Sequence, residues 1–197
     1  MRLAEARADA FRRLARREGY RSRAAYKLLE LDRRFGLLAP GMRVLDLGAA
    51  PGSWLQVASS RVGRGGLVVG VDLLEIKPVA PNVITLRADL RDRALLDQLR
   101  PHAPFDLILF DASPNLTGIA EADARRHGEL LLSAAGLTAG LLREGGAGVY
   151  KLFEHQELRE AEAALRALFS SARRYKPGAS RRRGRELYLV CRGFRGA

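Results

Sequence analysis

Val44-Leu45-Asp46-Leu47-Gly48-Ala49-Ala50-Pro51-Gly52 is an apolar run that meets a carboxylate and then a loop of small residues, before a helical stretch opens at Ser53. The apolar part has the length and composition of a buried strand. The small residues let a ligand approach the backbone closely, and the helix behind them presents unpaired N–H groups. Outward from this segment, β-type runs alternate with helical ones: strand 43–47, helix 53–61, strand 67–71, strand 83–87, helix 92–100, strand 105–110, helix 123–143, strand 147–153 and helix 156–170. Such alternation predicts right-handed βαβ crossovers and a parallel sheet covered on both faces. The end of the chain breaks the pattern. Tyr175-Lys176-Pro177 and Glu186 to Arg192 read as two strands joined by the basic loop Ser180-Arg181-Arg182-Arg183-Gly184-Arg185, adding an antiparallel hairpin at one sheet edge.

Residues 1–20, rich in Arg and Ala, read as a basic amphipathic helix or arm, and residues 21–197 as a single domain. A helix from Ser22 to Phe35, stopped by Gly36, carries Lys27. A chain of 197 residues with 47% hydrophobic content is enough for one full core. A net charge of +12 points to a polyanionic partner, RNA or DNA ahead of an anionic membrane surface. No apolar stretch approaches the roughly 20 residues that span a bilayer, and the charged N-terminus is unlike a signal peptide, so a soluble, cytoplasmic protein is expected. Cys191 is the only cysteine and the three histidines are scattered, which argues against disulfides and against a metal site.

The loop after residue 47 lacks the dinucleotide spacing G-x-G-x-x-G, and Asp46 would oppose a pyrophosphate, which argues against a nicotinamide cofactor. An acidic loop suits a cofactor that carries positive charge. S-adenosylmethionine, with a sulfonium and an α-amino group, is expected. Asp72 and Asp89 end the next two strands, where they can accept from ribose hydroxyls and meet the adenine amino group. Any one of these carboxylates alone reads equally well as a helix cap or turn residue. The cofactor candidates are Asp46, Gly48, Ala49, Pro51, Gly52, Asp72, Asp89 and Trp54, although the size of Trp54 also favours the core.

Of the 34 basic residues only Lys27, Lys77, Lys151 and Lys176 are lysine. Arginine keeps its proton near neutral pH, whereas a buried lysine can be tuned, so a lysine in an arginine-rich chain is a candidate for chemistry. Lys151 interrupts the apolar run Gly148-Val149-Tyr150-Lys151-Leu152-Phe153, and its plainer reading is a strand-end lysine reaching to water. Asp111 stands where strand 105–110 leaves the sheet, one strand away from Lys151, so the two side chains are expected to converge. Lys77 and Lys176 precede prolines and read as loop residues.

With Arg21-Ser22-Arg23 ahead of Ala25-Tyr26-Lys27-Leu28, the loop Asp46 to Trp54, Asp111-Ala112-Ser113-Pro114-Asn115, Tyr150-Lys151-Leu152-Phe153 and Arg185-Glu186-Leu187-Tyr188, the chain from Arg21 to Arg192 resembles the FtsJ-type family of RNA 2′-O-ribose methyltransferases. The resemblance implies a Rossmann-like class I methyltransferase fold. That fold is α/β, with a mostly parallel seven-stranded sheet, an antiparallel last strand and helices on both faces. It also implies a tetrad of Lys27, Asp111, Lys151 and Glu186 around the target ribose, with Asp111 close to the cofactor as well. Lys151 then steers or accepts the hydroxyl proton, Asp111 orients it, and Lys27 and Glu186 position the ribose. Lys27 would favour a neutral Lys151 and Asp111 a charged one, and the sequence leaves that sum open. Ser53 stands where a second glycine is common, and Ala112-Ser113 and Glu154-His155 also depart from the bacterial pattern.

Arg21, Arg23, Asn115, Arg181, Arg182 and Arg183 are the candidate RNA contacts, within or beside basic tracts that flank the tetrad in sequence. The substrate implied by the resemblance is a uridine of large-subunit (23S) ribosomal RNA, and with no obvious dimerisation segment a monomer is expected. Transfer RNA, a non-catalytic RNA-binding or ribosome-assembly role, and a nicotinamide oxidoreductase are the competing readings.

Overall fold

The apolar runs become strands because they are short, rich in Val, Leu and Ile, and bounded by turns. The computed structural model describes residues 2–114, 117–153, 155, 158–179 and 186–196, with side chains from Ala10 onward. In chain order it contains α1 (Arg2–Arg17), α2 (Ala25–Phe35), β1 (Arg43–Leu47), α3 (Ser53–Val62), β2 (Leu67–Asp72), β3 (Val83–Arg87), α4 (Ala94–Leu99), a 3-10 turn at Arg100–His102, β4 (Phe105–Phe110) and α5 (Ala120–Leu141). There follow β5 (Leu142–Phe153), α6 (Arg159–Ala167), β6 (Phe169–Tyr175) and β7 (Glu186–Phe194). One sheet holds all seven strands in the order β3-β2-β1-β4-β5-β7-β6. The first five of that order pair in parallel, and β7 is antiparallel to both β5 and β6.

Alternation along each strand feeds two cores. Leu45, Leu47, Val71, Ile108 and Phe110 pack on one face with Leu95, Leu131 and Leu165 from α4, α5 and α6. Val44, Val68, Leu109, Val149 and Tyr188 pack on the other with Leu28 and Leu31 of α2 and Trp54 and Leu55 of α3. Both faces of the sheet are thus desolvated, as a parallel sheet requires. Helix α2 stops at Gly36, whose left-handed φ of 58° lets its N–H return to the Asp32 carbonyl, while the Asp32 side chain accepts from Leu37 and Leu38.

Several boundaries differ from the sequence reading. Helix 123–143 starts earlier, at Ala120, and ends at Leu141, and the strand expected at 147–153 reaches back to Leu142, which pairs with Phe105 ahead of an irregular step in register. The helix expected over 156–170 ends at Ala167, and the strand placed at 175–177 lies at Phe169–Tyr175. Phe169 is fully packed against Tyr150 and Phe194, and Ser170-Ser171 are weak helix formers, so the chain turns into the sheet once that ring is buried. The two final strands are therefore an edge strand, β6, and a strand inserted between it and β5.

The β1–α3 turn is fixed by contact with the segment after β4. Gly48 has a φ of 80°, and a Cβ there would overlap the backbone of Ala112. Gly48→Ala is expected to lower stability by about 2 kcal/mol or more, from the left-handed backbone and the overlap together. A urea midpoint equal to that of the wild type would show that the two loops do not pack in this way.

Candidate functional site

Strand order reverses between β1 and β4, and open parallel sheets bind ligands at the carboxyl edge beside such a reversal. Leu47 O accepts from Asp111 N at 3.1 Å, and Val71 O accepts from Gly48 N and Ala49 N, so the ends of β1, β2 and β4 are tied together there. Asp72 accepts from Ala50 N at 3.0 Å and from Leu74 N at 2.9 Å, which holds the small-residue loop against the end of β2. Asp46 is fully buried, and neither of its carboxylate oxygens has a hydrogen-bond partner among the described residues. Burial first, and then the charges of Asp111 and Asp72, push its pKa well above the ordinary carboxylate range and make it a weaker acid. A cationic ligand would reverse that penalty, so this donor set fits a group bearing a sulfonium or ammonium charge.

On the β5–β7 side, four charged side chains gather around one ring. Lys27 Nζ lies 2.7 Å from Glu186 Oε1, and Lys151 Nζ lies 3.3 Å from Asp111 Oδ1 and donates to the Asp111 carbonyl. Tyr188 joins the two pairs: its hydroxyl donates to Asp111 Oδ1 at 2.7 Å, and its ring centroid is 6.0 Å from Lys27 Nζ. Both lysines are buried, at 7% and 5% exposure, so neither head group is a free surface charge. Antiparallel pairing sets Tyr188 opposite Lys151 and Glu186 opposite Phe153, which carries the start of β7 to the carboxyl edge of the parallel strands. Burial, followed by the charges of Asp111 and Glu186, raises the Tyr188 hydroxyl well above its ordinary range and keeps it a donor.

The remaining candidates divide. Arg21 stands against the loop between β1 and α3, because its guanidinium donates to Pro51 O at 3.0 Å, Lys77 O at 2.8 Å and Pro78 O at 2.5 Å. Gly52 adopts a φ of 103°, and a Cβ there would crowd the same guanidinium. Trp54 is buried beside Tyr188, with its indole N–H on Ala24 O at 2.8 Å, so it clamps α3 to the start of α2. Arg23 is half-buried in the turn before α2. Asp89 is held by the guanidinium and the backbone N–H of Arg91, which lower its pKa below the ordinary carboxylate value. Asp89 also lines a cleft of about 660 Å³ with Leu73, Ser113, Pro114 and Ile119, next to the Asp72 turn. Asn115, Arg181, Arg182 and Arg183 lie outside the described residues.

Two residues were missed in the sequence. Tyr188 was detectable, since it sits two residues after Glu186 and a strand places both on one face. His127 gave no local signal. It is fully buried on α5, its Nε2 is 2.9 Å from the Lys151 carbonyl, and its ring packs between Phe110 and Phe153, directly behind the Lys151 backbone. Among the described residues no cluster of metal-ligating side chains occurs, and no helix is long and apolar enough to cross a membrane.

A model of the FtsJ-like methyltransferase family matches residues 20–194. The ribosomal RNA large subunit methyltransferase E of Pseudomonas fluorescens is 40% identical over 191 residues, covering 95% of this chain and 91% of that protein. A crystal structure of a Plasmodium falciparum protein, described as a ribosomal RNA methyltransferase, superposes with a TM-score of 0.78 at 31% identity, covering 90% of this chain and all of that one. Aeropyrum pernix fibrillarin, crystallised with S-adenosyl-L-methionine, shares the fold with a TM-score of 0.59 at 17% identity, over 87% of this chain and 75% of its own.

Burial lowers the pKa of His127 from 6.5 to about 4, so the folded protein holds a neutral ring that the unfolded chain would protonate first on acidification. Its contribution to stability is therefore complete above pH 6.5 and is lost as pH falls toward 4, by roughly 3 kcal/mol in all. Unfolding free energies measured at pH 7 and pH 4.5 should fall less steeply in His127→Gln than in the wild type. Equal slopes would mean that the ring is not buried in its neutral form.

Proposed function

This chain belongs to the FtsJ-like methyltransferase family, and from that membership we propose that it transfers the methyl group of S-adenosylmethionine to a ribose 2′-oxygen of large-subunit ribosomal RNA, at a uridine. The observation that carries this reading is the pair of ion pairs from two buried lysines to two half-buried acids, Lys27–Glu186 and Lys151–Asp111, joined at Tyr188 near Asp46, which has no partner among the described residues. The bound cofactor supplies a methyl group on a cationic sulfur. Asp46 offers the compensating negative charge, the backbone from Gly48 to Gly52 allows close approach, and Asp72 and Asp89 stand at the next strand ends for the ribose and adenine. Lys151 points its Nζ at Asp111, where as an ammonium it can hold an incoming hydroxyl oxygen by donation and as the neutral amine it can accept the proton that this oxygen loses. Asp111 is held by Tyr188 and Lys151 together, so its carboxylate has one orientation. Lys27 and Glu186 satisfy each other and present polar atoms for the sugar. Most of the rate gain then comes from aligning oxygen, methyl carbon and sulfur.

In this reading residues 1–20 form a basic arm on a single domain of residues 21–197, the protein acts as a monomer in the cytoplasm, and a large structured RNA supplies much of its own docking surface. Wild-type protein given labelled cofactor with large subunits, free 23S RNA or tRNA is expected to label the large-subunit RNA. Label in tRNA alone would overturn the substrate.

In single-turnover methylation, Lys151→Ala and Lys151→Arg should each be slower by about 10²- to 10⁴-fold, with cofactor affinity within a factor of about two. Near-wild-type chemistry in either variant would remove Lys151 from the proton path. Asp46→Asn should weaken S-adenosylmethionine binding about tenfold while leaving the unfolding midpoint unchanged or raised, because a buried unpaired charge is removed. Unchanged calorimetric affinity would show that Asp46 does not face the cofactor.

A further inference from the structure

Helix α2 continues past Lys27 along the β6–β7 edge, and its last turn borders a cleft of about 350 Å³ lined by Arg34, Phe35, Ser171, Arg173, Val190 and Arg192. Three guanidinium groups from three separate elements meet there, and all three arginines are exposed. Among the described residues no carboxylate lines the cleft. The nearest acids on α2 are engaged elsewhere: Glu30 accepts from the Tyr175 hydroxyl and from the Gly178 and Ala179 N–H groups, and Asp32 caps the helix end and pairs with Arg61. The adjacent Arg174 points to the opposite face of β6 and is paired with Glu162, so alternation along one strand separates a neutralised arginine from Arg173. Arg34 also lies 5.9 Å over the Tyr175 ring, and Phe35 packs edge-on against that ring at 5.3 Å. Clustered arginines beside aromatic rings are the chemistry that holds a single-stranded backbone and its bases.

The cleft lies on the same sheet face as the tetrad. Glu186, Tyr188, Val190 and Arg192 alternate along β7, so Arg192 is about 20 Å along the strand from Glu186. Lys27 and Arg34 share a helix face and differ by about 10 Å of rise. Spans of roughly 10 to 20 Å amount to a few nucleotides, so one segment can reach both the ribose pocket and the cleft.

We propose that this cleft is a second RNA site, distinct from the ribose pocket, in which Arg34, Arg173 and Arg192 hold backbone phosphate of a single-stranded segment a few nucleotides from the methylated sugar, with a base or ribose against Phe35. The proposal rests on the RNA substrate argued above. It places RNA along the length of α2 and makes the C-terminal turn of that helix, beyond Lys27, part of the substrate surface.

The test compares the full chain with the triple variant Arg34→Gln/Arg173→Gln/Arg192→Gln and with the triple lysine variant. Binding to large-subunit RNA is measured across a salt series, and turnover at several RNA concentrations. Loss of up to three phosphate contacts to a single strand should reduce the slope of log K against log salt by about two. KM for RNA should rise about tenfold while kcat, cofactor affinity and melting temperature stay within error, and the lysine variant should recover most of the salt slope. An unchanged slope and KM in the folded glutamine variant would overturn the site. So would a glutamine variant that binds free RNA normally and loses affinity only for intact subunits, since that points to a protein partner. The salt slope needs no turnover, so a wild-type chain that binds RNA without methylating it would sink the enzymatic reading and still leave the cleft testable.

Discussion

The hydrogen bond from Tyr188 to Asp111 joins the two halves of the site. Asp111 and Lys151 come from adjacent parallel strand ends, whereas Lys27 and Glu186 come from a helix that precedes the sheet and from its last strand. A buried phenol without a partner would be costly, and the half-buried Asp111 carboxylate also needs donors, and this contact satisfies part of both needs. Its existence depends on register. If β7 slipped by one residue against β5, Tyr188 and Glu186 would turn to the α5–α6 side of the sheet, and both the phenol and the partner of Lys27 would be lost together. Leu187, Leu189 and Cys191 oppose such a slip, because their apolar side chains fill the core on that other side.

The sequence disclosed most of this arrangement where a local pattern carried the information. Short apolar runs marked β1 to β4, the carboxylates after them fell at the carboxyl edge of the sheet, and a lysine inside a buried run marked Lys151. The position of β7 was harder, because insertion between β5 and β6 is a long-range pairing with no local trace, and the Phe169 strand was hidden in an apparent helical continuation. Arg21 shows a different limit. Its type and neighbours fit a phosphate contact, yet which acceptors surround a guanidinium is settled by loops 30 and 57 residues away, and there they are the carbonyls of Pro51, Lys77 and Pro78. His127 was illegible for the same reason: only the packing of α5 on β5 brings it to Lys151.

The use of lysine against arginine follows from what each site demands. Lys27 and Lys151 occupy narrow buried positions where a point charge on a flexible stem meets one carboxylate each, and a planar fork with five donors would leave several of them unpaired. Arginine serves where several acceptors lie around one plane, as with the three carbonyls about Arg21 or the paired oxygens of Glu162 before Arg174.

The carboxylates then decide where the net positive charge is felt. Asp89, Asp106 and Glu162 neutralise Arg91, Arg143, Arg166 and Arg174, while Asp46, Asp72 and Asp111 are concentrated at the sheet's carboxyl edge and make it acidic. On the α2 side, no acid among the described residues lines the cleft that Arg34, Arg173 and Arg192 share. A polyanion approaching this molecule is drawn to that side and repelled from the acidic crevice, whereas a small cation is drawn into the crevice. The two substrates of a methyl transfer to RNA have just these opposite charges, so a single distribution of acids and arginines sorts each to its own side of Lys151.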